Sequence, residues 1–355
     1  MSAVATADVE LAVPDRWKDI GRTAVRWAAA VGGAFAIFAF FMVIKGVSPL
    51  DAYRSMWSSL TTDTSLSAIL VKGAPLVLAA LAVTIPAKAG LVNVGGEGQL
   101  IIGGVFAAGV SMALGGALPG GATLVLLCLA GALGGALWAG IAALLRLWVG
   151  ISEAVTTLLL NYVALNIMFF LIYDPWKDPN GSGQPATRPL PVGERFPLIG
   201  TSKVHQGVVL ALLASVAVWW LLKRTRLGFQ FRVVGGNAEA ARRSGLKVGL
   251  LLVGAMLLGG ALAGLGGVAQ LAGAEFKLRP GFLMTYGYIG FLASWLARHD
   301  PAKVALSALL LGAISISGDS LQIDSHLPAA TVNILMALVL IAVFGFAGKR
   351  QKAVA

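Results

Sequence analysis

The strongest constraint on the fold is a series of apolar runs, many of them 18 or more residues long, separated by short polar breaks. A helical run of this length spans the hydrocarbon core of a bilayer, where each backbone N–H and C=O must find its partner within the protein. Only 12% of the residues are charged, compared with about 25% in soluble domains. The sequence therefore predicts an all-α polytopic membrane protein.

The pattern of apolar runs predicts about ten transmembrane helices. With both termini inside, the inner segments hold 18 of the 27 Lys and Arg residues, counting Arg26 and Lys303 at the inner ends of their spans. Since short cytoplasmic loops are enriched in Lys and Arg, both termini are expected to be cytoplasmic. The same bias accounts for the net charge of +11, so no nucleic-acid partner is expected. The predicted spans are 24–44, 66–85, 100–114, 122–145, 151–173, 207–222, 249–272, 282–297, 303–317 and 329–347.

The predicted organisation is a single transmembrane domain at 24–348 between cytoplasmic tails at 1–23 and 349–355. Residues 48–65 are predicted to form a polar outer loop at the membrane interface. The longest loop, 174–206, is rich in Pro and Gly and is expected to lie outside as a partly ordered lid. Two pairs of glycines at GxxxG spacing favour close helix packing. These pairs are Gly131 with Gly135 and Gly260 with Gly264.

The most basic stretch, 223–247, is predicted to be an inner loop that contains a short helix. A helix of about seven residues is too short to be stable alone, since about 12–15 residues are needed for marginal helicity. Neighbouring membrane helices or a partner must therefore support it. The helix signals are Asn237 as N-cap, Glu239 in the first turn, Arg242 and Arg243 in the last turn, and Gly245 as the stop.

Two polar stretches interrupt the apolar pattern at membrane depth. The first, 90–99, contains Asn93, Glu97 and Gln99, and the second contains Glu153, Thr157 and Asn161 at four-residue spacing. Polar groups in the membrane are costly unless they pair or line a wet cavity. They are therefore candidates for a transport pathway. The alternatives are a glycine-rich connector in which Glu97 pairs with a base, and hydrogen bonding between helices.

The sequence contains no constellation typical of an enzyme. His205, His299 and His326 are scattered among loops, and there is no phosphate-binding G-x-x-x-x-G-K-[ST] motif. The single cysteine, Cys128, excludes an intrachain disulfide and a cysteine-based metal site. We therefore expect no catalytic residue, no metal and no cofactor bound by this chain.

Five stretches in this order carry a resemblance to a known family. The chain resembles the permease subunit of bacterial ABC importers for nucleosides and simple sugars over about 66–348. Within that family it looks most like the longer permease of the nucleoside branch. It departs from the family pattern at the doubled Gly235-Gly236 and at the turn 298–301. The stretches are GLVNVGGEGQ at 90–99, EAVTTLLLNY at 153–162, GFQFRVVGGNAEAARRSG at 228–245, LRPG at 278–281 and YGYIG at 286–290.

The resemblance implies ten helices in a type II fold, similar to the vitamin B12 importer, in the bacterial inner membrane. It also implies a cytoplasmic ATP-binding subunit that carries ATP and Mg²⁺, a second and different permease, and an extracytoplasmic substrate-binding lipoprotein. The segment 235–245 would be the coupling helix that docks on the ATPase, unless its arginines contact only membrane lipid. The expected coupling residues are Arg232, Gly235, Asn237, Glu239, Ala241, Arg242, Arg243 and Gly245.

The expected function is uptake of nucleosides or related purine and pyrimidine compounds. A simple-sugar permease is the alternative within the same class. An ion-coupled secondary transporter using Glu97 with Asn161 is the alternative from another class, and a membrane scaffold is a third. The expected pathway residues are Asn93, Glu97, Gln99, Asn161, Asn166 and Trp295.

Overall fold

The computed structural model describes residues 16–181, 183–325, 327–328 and 331–351. Most of the predicted N-terminal tail, the end of the C-terminal tail and His326 lie outside these residues. The described chain contains thirteen α-helices, a 3-10 helix at Val192–Glu194 and a π-helix at Leu271–Glu275. The α-helices are α1 Arg16–Ile44, α2 Pro49–Thr61, α3 Ser65–Lys88, α4 Gly96–Leu114, α5 Gly120–Val149, α6 Glu153–Tyr173, α7 Gly207–Arg224, α8 Arg226–Gly236, α9 Ala238–Arg243, α10 Val248–Gln270, α11 Tyr286–Leu296, α12 Val304–Ser325 and α13 Thr331–Gln351.

Each of the ten predicted spans overlaps one of these helices. Among the described residues, seven helices are long and apolar enough to cross a membrane, and α1 with α2 forms a pair bent by 118°. Helix α11 has only 11 residues, about 17 Å, which is well short of the roughly 30 Å hydrocarbon core. The fold is that of a multi-pass helical membrane protein in which α1 and α2 form a bent pair and α11 is too short to cross the membrane by itself.

Two helices lie where the sequence predicted loops. Helix α2 occupies most of the predicted outer loop 48–65, and its N-cap Ser48 accepts a hydrogen bond from Asp51 N. Helix α8 precedes the predicted short helix, and its N-cap Thr225 accepts a hydrogen bond from Gly228 N. Both are standard N-cap arrangements, with Pro49 at the first helical position of α2.

Helix boundaries near the candidate pathway also differ from the prediction. Helix α4 begins at Gly96, so Glu97 and Gln99 lie in its first turns rather than in the preceding break. Helix α11 begins at Tyr286, four residues after the predicted start at 282. The N-termini of α4 and α11 therefore lie close to the polar residues of the candidate pathway.

Helix α3 is the centre of the bundle. Every residue from Gly73 to Pro86 is buried, and α3 packs against α7, α10, α11 and α12. We call the end of the bundle that carries α8 and α9 the α9 end. The opposite end, which carries residues 174–206, is the loop end.

The loop 174–206 is fixed to the chain that follows α10. Backbone hydrogen bonds join Thr187 N to Leu278 O at 3.0 Å and Leu190 N to Phe276 O at 2.7 Å. The guanidinium of Arg195 also lies 4.3 Å from the centre of the Phe276 ring. The loop and the segment between α10 and α11 are therefore one packed unit.

The two GxxxG pairs pack against each other, which confirms their predicted role. A methyl group on Gly264 would collide with the carbonyl oxygen of Gly131, and one on Gly260 would collide with that of Gly135. Helices α5 and α10 thus meet backbone to backbone. Small residues allow this close approach of membrane helices.

We predict that Gly264→Ala destabilises the protein by roughly 1–3 kcal/mol, because the α5–α10 backbones must move apart. Thermal melting in detergent measures this loss. Gly254→Ala on the same helix is the control, since its added methyl meets no atom within 4 Å. Equal melting temperatures for the two variants would contradict the packing described here.

Candidate functional site

One face of α6 holds the segment that joins α3 to α4, which we call the connecting segment (89–95). Glu153, Thr157 and Asn161 lie four residues apart, so they share this face. All three are buried, and each accepts a hydrogen bond from a backbone amide. The bonds are Val92 N to Glu153 Oε1 at 3.0 Å, Val94 N to Thr157 Oγ1 at 3.2 Å, Gly98 N to Asn161 Oδ1 at 2.8 Å, and Asn161 Nδ2 to Val94 O at 3.0 Å.

The side-chain amides of Asn93 and Gln99 satisfy each other. Asn93 Nδ2 donates to Gln99 Oε1 at 3.0 Å, and Gln99 Nε2 donates to Asn93 Oδ1 at 2.9 Å. Asn93 also accepts from Gly95 N at 3.0 Å and donates to Ala82 O at 3.3 Å. Both side chains are almost fully buried, and the reciprocal pair removes most of the cost of burying them.

Glu97 caps the N-terminus of α11. Its Oε1 accepts from Thr285 N at 2.5 Å, and its Oε2 accepts from Gly287 N at 2.7 Å. Glu97 is 7% exposed, and the amides at the N-terminus of α11 satisfy its side-chain oxygens. In the described part of the chain, its recorded hydrogen bonds come from backbone amides and not from Lys or Arg. The expected alternative of a pair with a base is therefore not what the structure shows.

Glycines allow α4 and α11 to meet at this point. A methyl on Gly287 would collide with the backbone of Gly96 and Glu97. Tyr288, in the first turn of α11, accepts from Asn161 Nδ2 at 3.3 Å. The carboxylate thus lies where the starts of α4 and α11 meet the polar face of α6.

The structure brings four of the six expected pathway residues together and separates the other two. Asn93, Glu97, Gln99 and Asn161 form the buried cluster described above. Asn166 is exposed on another face of α6, where its amide donates to Tyr162 O at 2.8 Å. Trp295 lies at the far end of α11, where its ring packs edge-on against that of His299 with the ring centroids 4.7 Å apart.

Sequence reasoning did not single out Trp138 of α5 or the backbone amides of Thr285 and Gly287. The indole Nε1 of Trp138 is buried, and within the described residues no hydrogen-bond partner is recorded for it. It lies 3.0 Å from the position that a Cβ on Gly98 would take. No sequence pattern marks Trp138, because its neighbours along α5 are apolar or small residues.

The short helix predicted in the basic stretch is present as α9. Asn237 Oδ1 accepts from Ala240 N at 2.9 Å, and Gly245 has φ +83° after the last turn. Glu239 pairs with Arg242 at 3.3 Å and with Arg243 at 3.1 Å, and all three side chains are exposed. The buried face carries Ala241, which packs with Val234 and Val248. Arg232 of α8 donates to the carbonyl of Leu222.

The turn between α11 and α12 is also at the α9 end. Arg298 and His299 have φ of 53° and 54°, so two consecutive residues other than glycine occupy the left-handed region. His299 Nδ1 lies 2.9 Å from Ser294 Oγ, which lies 2.8 Å from Thr84 Oγ1. Asp300 pairs with Lys223 of α7 at 3.9 Å, so this turn is tied to the start of the basic stretch.

A cavity of about 390 Å³ lies at the loop end, a volume within the range of small-molecule sites. Its walls combine two aromatic rings, two hydroxyl groups and two basic side chains. They come from the end of α4, the loop and the chain after α10. These residues are Trp176, Phe276, Ser111, Thr187, Lys177 and Arg188.

These features define a class of protein: a multi-pass helical membrane protein with a buried polar cluster where membrane segments are broken. The chain belongs to the family of permease components of branched-chain amino acid transport systems, whose model matches residues 65–344. This family includes ABC permeases of nucleoside and sugar transporters. The chain's relatives are permease subunits and not enzymes.

Three relatives are similar over most of their length. The glucose ABC transporter permease protein TsgB13 of Haloferax volcanii is 37% identical, covering 91% of this chain and 89% of that protein. The guanosine ABC transporter permease protein NupP of Bacillus subtilis is 29% identical, covering 85% and 88%. The guanosine ABC transporter permease protein NupQ of the same species is 28% identical, covering 79% and 91%.

We predict that Asn161→Leu lowers stability by roughly 1–3 kcal/mol, because Gly98 N and Val94 O lose a buried partner. The Leu side chain has a similar size, so a change in volume is not the cause. Thermal melting in detergent measures the loss, and Asn166→Leu on the exposed face of α6 is the control. A smaller loss for Asn161→Leu than for Asn166→Leu would show that the cluster does not hold the connecting segment.

We also predict an acid-sensitive contribution from His299. Burial, and then the charge of Lys88, lower the pKa of His299 to about 4, against about 6.5 when unfolded. The unfolded chain therefore binds this proton more readily, so stability falls as pH decreases from about 6.5 towards 4. His299→Gln should reduce this pH dependence of the melting temperature. His205, whose pKa burial also lowers, is present in both proteins and cancels in the comparison. An unchanged dependence would contradict the assignment.

Proposed function

We propose that this chain is the transmembrane permease subunit of an ATP-driven importer that takes up nucleosides or related purine and pyrimidine compounds. Family membership and the two guanosine permeases among its relatives support this proposal. The observation that carries it is the buried polar cluster at which α4, α6 and the broken α10–α11 segment meet. Discontinuous membrane helices of this kind commonly form substrate sites in transporters.

The pathway would run along the exposed face of α6. Tyr162 and Asn166 are exposed on this membrane helix, among apolar residues that are also exposed. An Asn side chain that faces lipid is costly, so this face is better explained by a wet pathway or a second permease. Asn161 and Glu97, behind this face, would support the pathway from inside. Trp295 would lie nearer the cytoplasmic mouth.

This proposal assigns a different partner to each end of the molecule. A cytoplasmic ATP-binding subunit would dock on α9 and would carry the ATP and Mg²⁺. An extracytoplasmic substrate-binding lipoprotein would dock at the loop end, beside the cavity. A second, different permease would complete the pathway, as the pair of guanosine permeases from one species suggests. The assembly would lie in the cytoplasmic membrane, in contact with lipid.

A simple sugar is the second candidate substrate. The relative that is 37% identical is named as a glucose permease, so hexose uptake has specific support. Nucleosides and hexoses share a ring with several hydroxyl groups, which a permease of this family would have to pass.

Transport by the reconstituted assembly tests the proposal. The chain would be tagged, purified from its own host with its bound subunits, and placed in proteoliposomes with labelled guanosine, uridine or glucose. The proposal predicts ATP-dependent uptake of a nucleoside, and ATP-dependent uptake of glucose alone would favour the second candidate. Uptake by this chain alone, driven by an ion gradient without ATP, would instead support the ion-coupled alternative.

The role of α9 gives a separate prediction. Arg242→Glu with Arg243→Glu should abolish ATP-driven uptake while the permease still inserts at a normal level, because the docking surface loses its positive charge. Arg54→Glu, an exposed arginine of α2, is the control and should transport normally. Normal ATP-driven uptake by the double variant would show that α9 does not dock the ATPase.

A further inference from the structure

We propose that the connecting segment transmits movement of α8 and α9 to the N-terminus of α11, with Gly235 and Glu97 as the positioning residues at its two ends. This inference rests on the proposed function, because it assigns a path between the ATPase docking surface and the pathway. The resemblance already placed Gly235 among the coupling residues, and the inference adds the connecting segment and Glu97, to which the resemblance gives no role in transmission. Three sets of contacts, taken from the α9 end towards the middle of the bundle, support it.

The first contact joins the end of α8 to the start of the connecting segment. A Cβ on Gly90 would lie 3.2 Å from Gly235 Cα, and one on Gly235 would lie 3.0 Å from Gly90 N. A Cβ on Gly235 would also collide with the carbonyl oxygen of Lys88. The two backbones therefore touch directly, with no flexible side chain between them. A shift of α8 towards residues 88–90 must therefore displace them.

This contact gives a reason for the first glycine of the doubled Gly235-Gly236. A Cβ on Gly236 meets no atom within 4 Å, whereas one on Gly235 meets the backbone at 88–90. Gly90 has φ +81°, a conformation that favours glycine. The need for glycine at 235 is therefore set by contact with the connecting segment and not by the geometry of α8.

The second set of contacts makes the connecting segment rigid. Its amides at Val92 and Val94 are held by α6, and the Asn93–Gln99 pair ties it to α4. A segment held at nearly every residue moves as a unit and does not absorb a displacement at one end. Packed networks of this kind are the physical medium for coupling between distant sites.

The third contact joins the start of α4 to α11. Glu97 holds Thr285 N and Gly287 N, and Gly287 packs on the backbone of Gly96. Leu283 and Thr285, just before α11, have φ of 55° and 75°. Such strained residues persist only where the surroundings fix them, and they cluster at segments that switch. Loss of the Glu97 bonds would release this segment, so a movement of α4 reaches α11 through them.

Helix α10 offers a competing path, since it follows α9 directly in sequence and runs to the π-helix before residues 276–285. The two paths differ in one respect that can be tested. Gly235 contacts the path through the connecting segment directly, because the three atoms nearest to a Cβ built on it belong to Lys88, Ala89 and Gly90.

The test is amide hydrogen exchange of the assembled importer in lipid nanodiscs, with and without ATP plus vanadate. In the wild type, ATP should alter exchange both in α9 and at residues 285–290. In Gly235→Ala the response of α9 should remain. The response at 285–290 should fall by about three- to tenfold, the scale on which residues between coupled sites alter coupling. Gly254→Ala, with its methyl in open space, should behave as the wild type.

Glu97→Gln gives an independent variant that leaves the Gly235–Gly90 contact in place. Its amide can accept only one of the two bonds, so the response at 285–290 should again fall while that of α9 remains. A full response at 285–290 in both variants would overturn the inference and favour the path through α10. A wild type in which ATP alters neither region would overturn the proposed docking of an ATPase, and the inference with it.

Discussion

The hydrogen bonds between the polar face of α6 and the backbone at 92–98 are the interactions on which the rest of the site depends. A buried amide that a broken helix leaves free has no access to water, so it needs a partner from the protein. Glu153, Thr157 and Asn161 supply these partners over two helical turns. The connecting segment can therefore leave helical geometry while it is buried, and α4 can start at Gly96. The polar residues of α6 that suggested a pathway therefore also stabilise the connecting segment between α3 and α4.

The same solution recurs at the start of α11 and at the loop end. Glu97 satisfies two amides at the start of α11, and the loop 174–206 bonds the backbone between α10 and α11. The breaks between α3 and α4 and between α10 and α11 are therefore both held by parts of the chain that are distant in sequence. Close glycine packing of α5 on α10 and complete burial of α3 provide the rigid frame around these breaks. In a transporter, packed helices of this kind are the rigid part, and the hydrogen-bonded segments at the breaks are the parts that can move.

Local signals in the sequence predicted the helices well, but they could not predict contacts between residues that are far apart in the chain. Apolar run length located all ten predicted segments, and Asn237 marked the start of α9. The caps Ser48 and Thr225 could have revealed α2 and α8, but the polar content of these helices favoured loops. Four-residue spacing placed Glu153, Thr157 and Asn161 on one face. It also explains why Asn166 lies elsewhere, since five residues correspond to a rotation of about 140° beyond a full turn. The capping of α11 by Glu97 joins residues that are 188 and 190 positions apart, and no local pattern encodes it.

Amide hydrogen exchange of the wild-type permease in lipid nanodiscs tests the central claim most directly, at Val92, Val94 and Gly98. If α6 holds the connecting segment, these three amides exchange as slowly as the amides within α6 itself. Exchange as fast as that of the exposed residues in the loop 174–206 would show a solvated connector. That result would contradict the account of how this membrane break is stabilised.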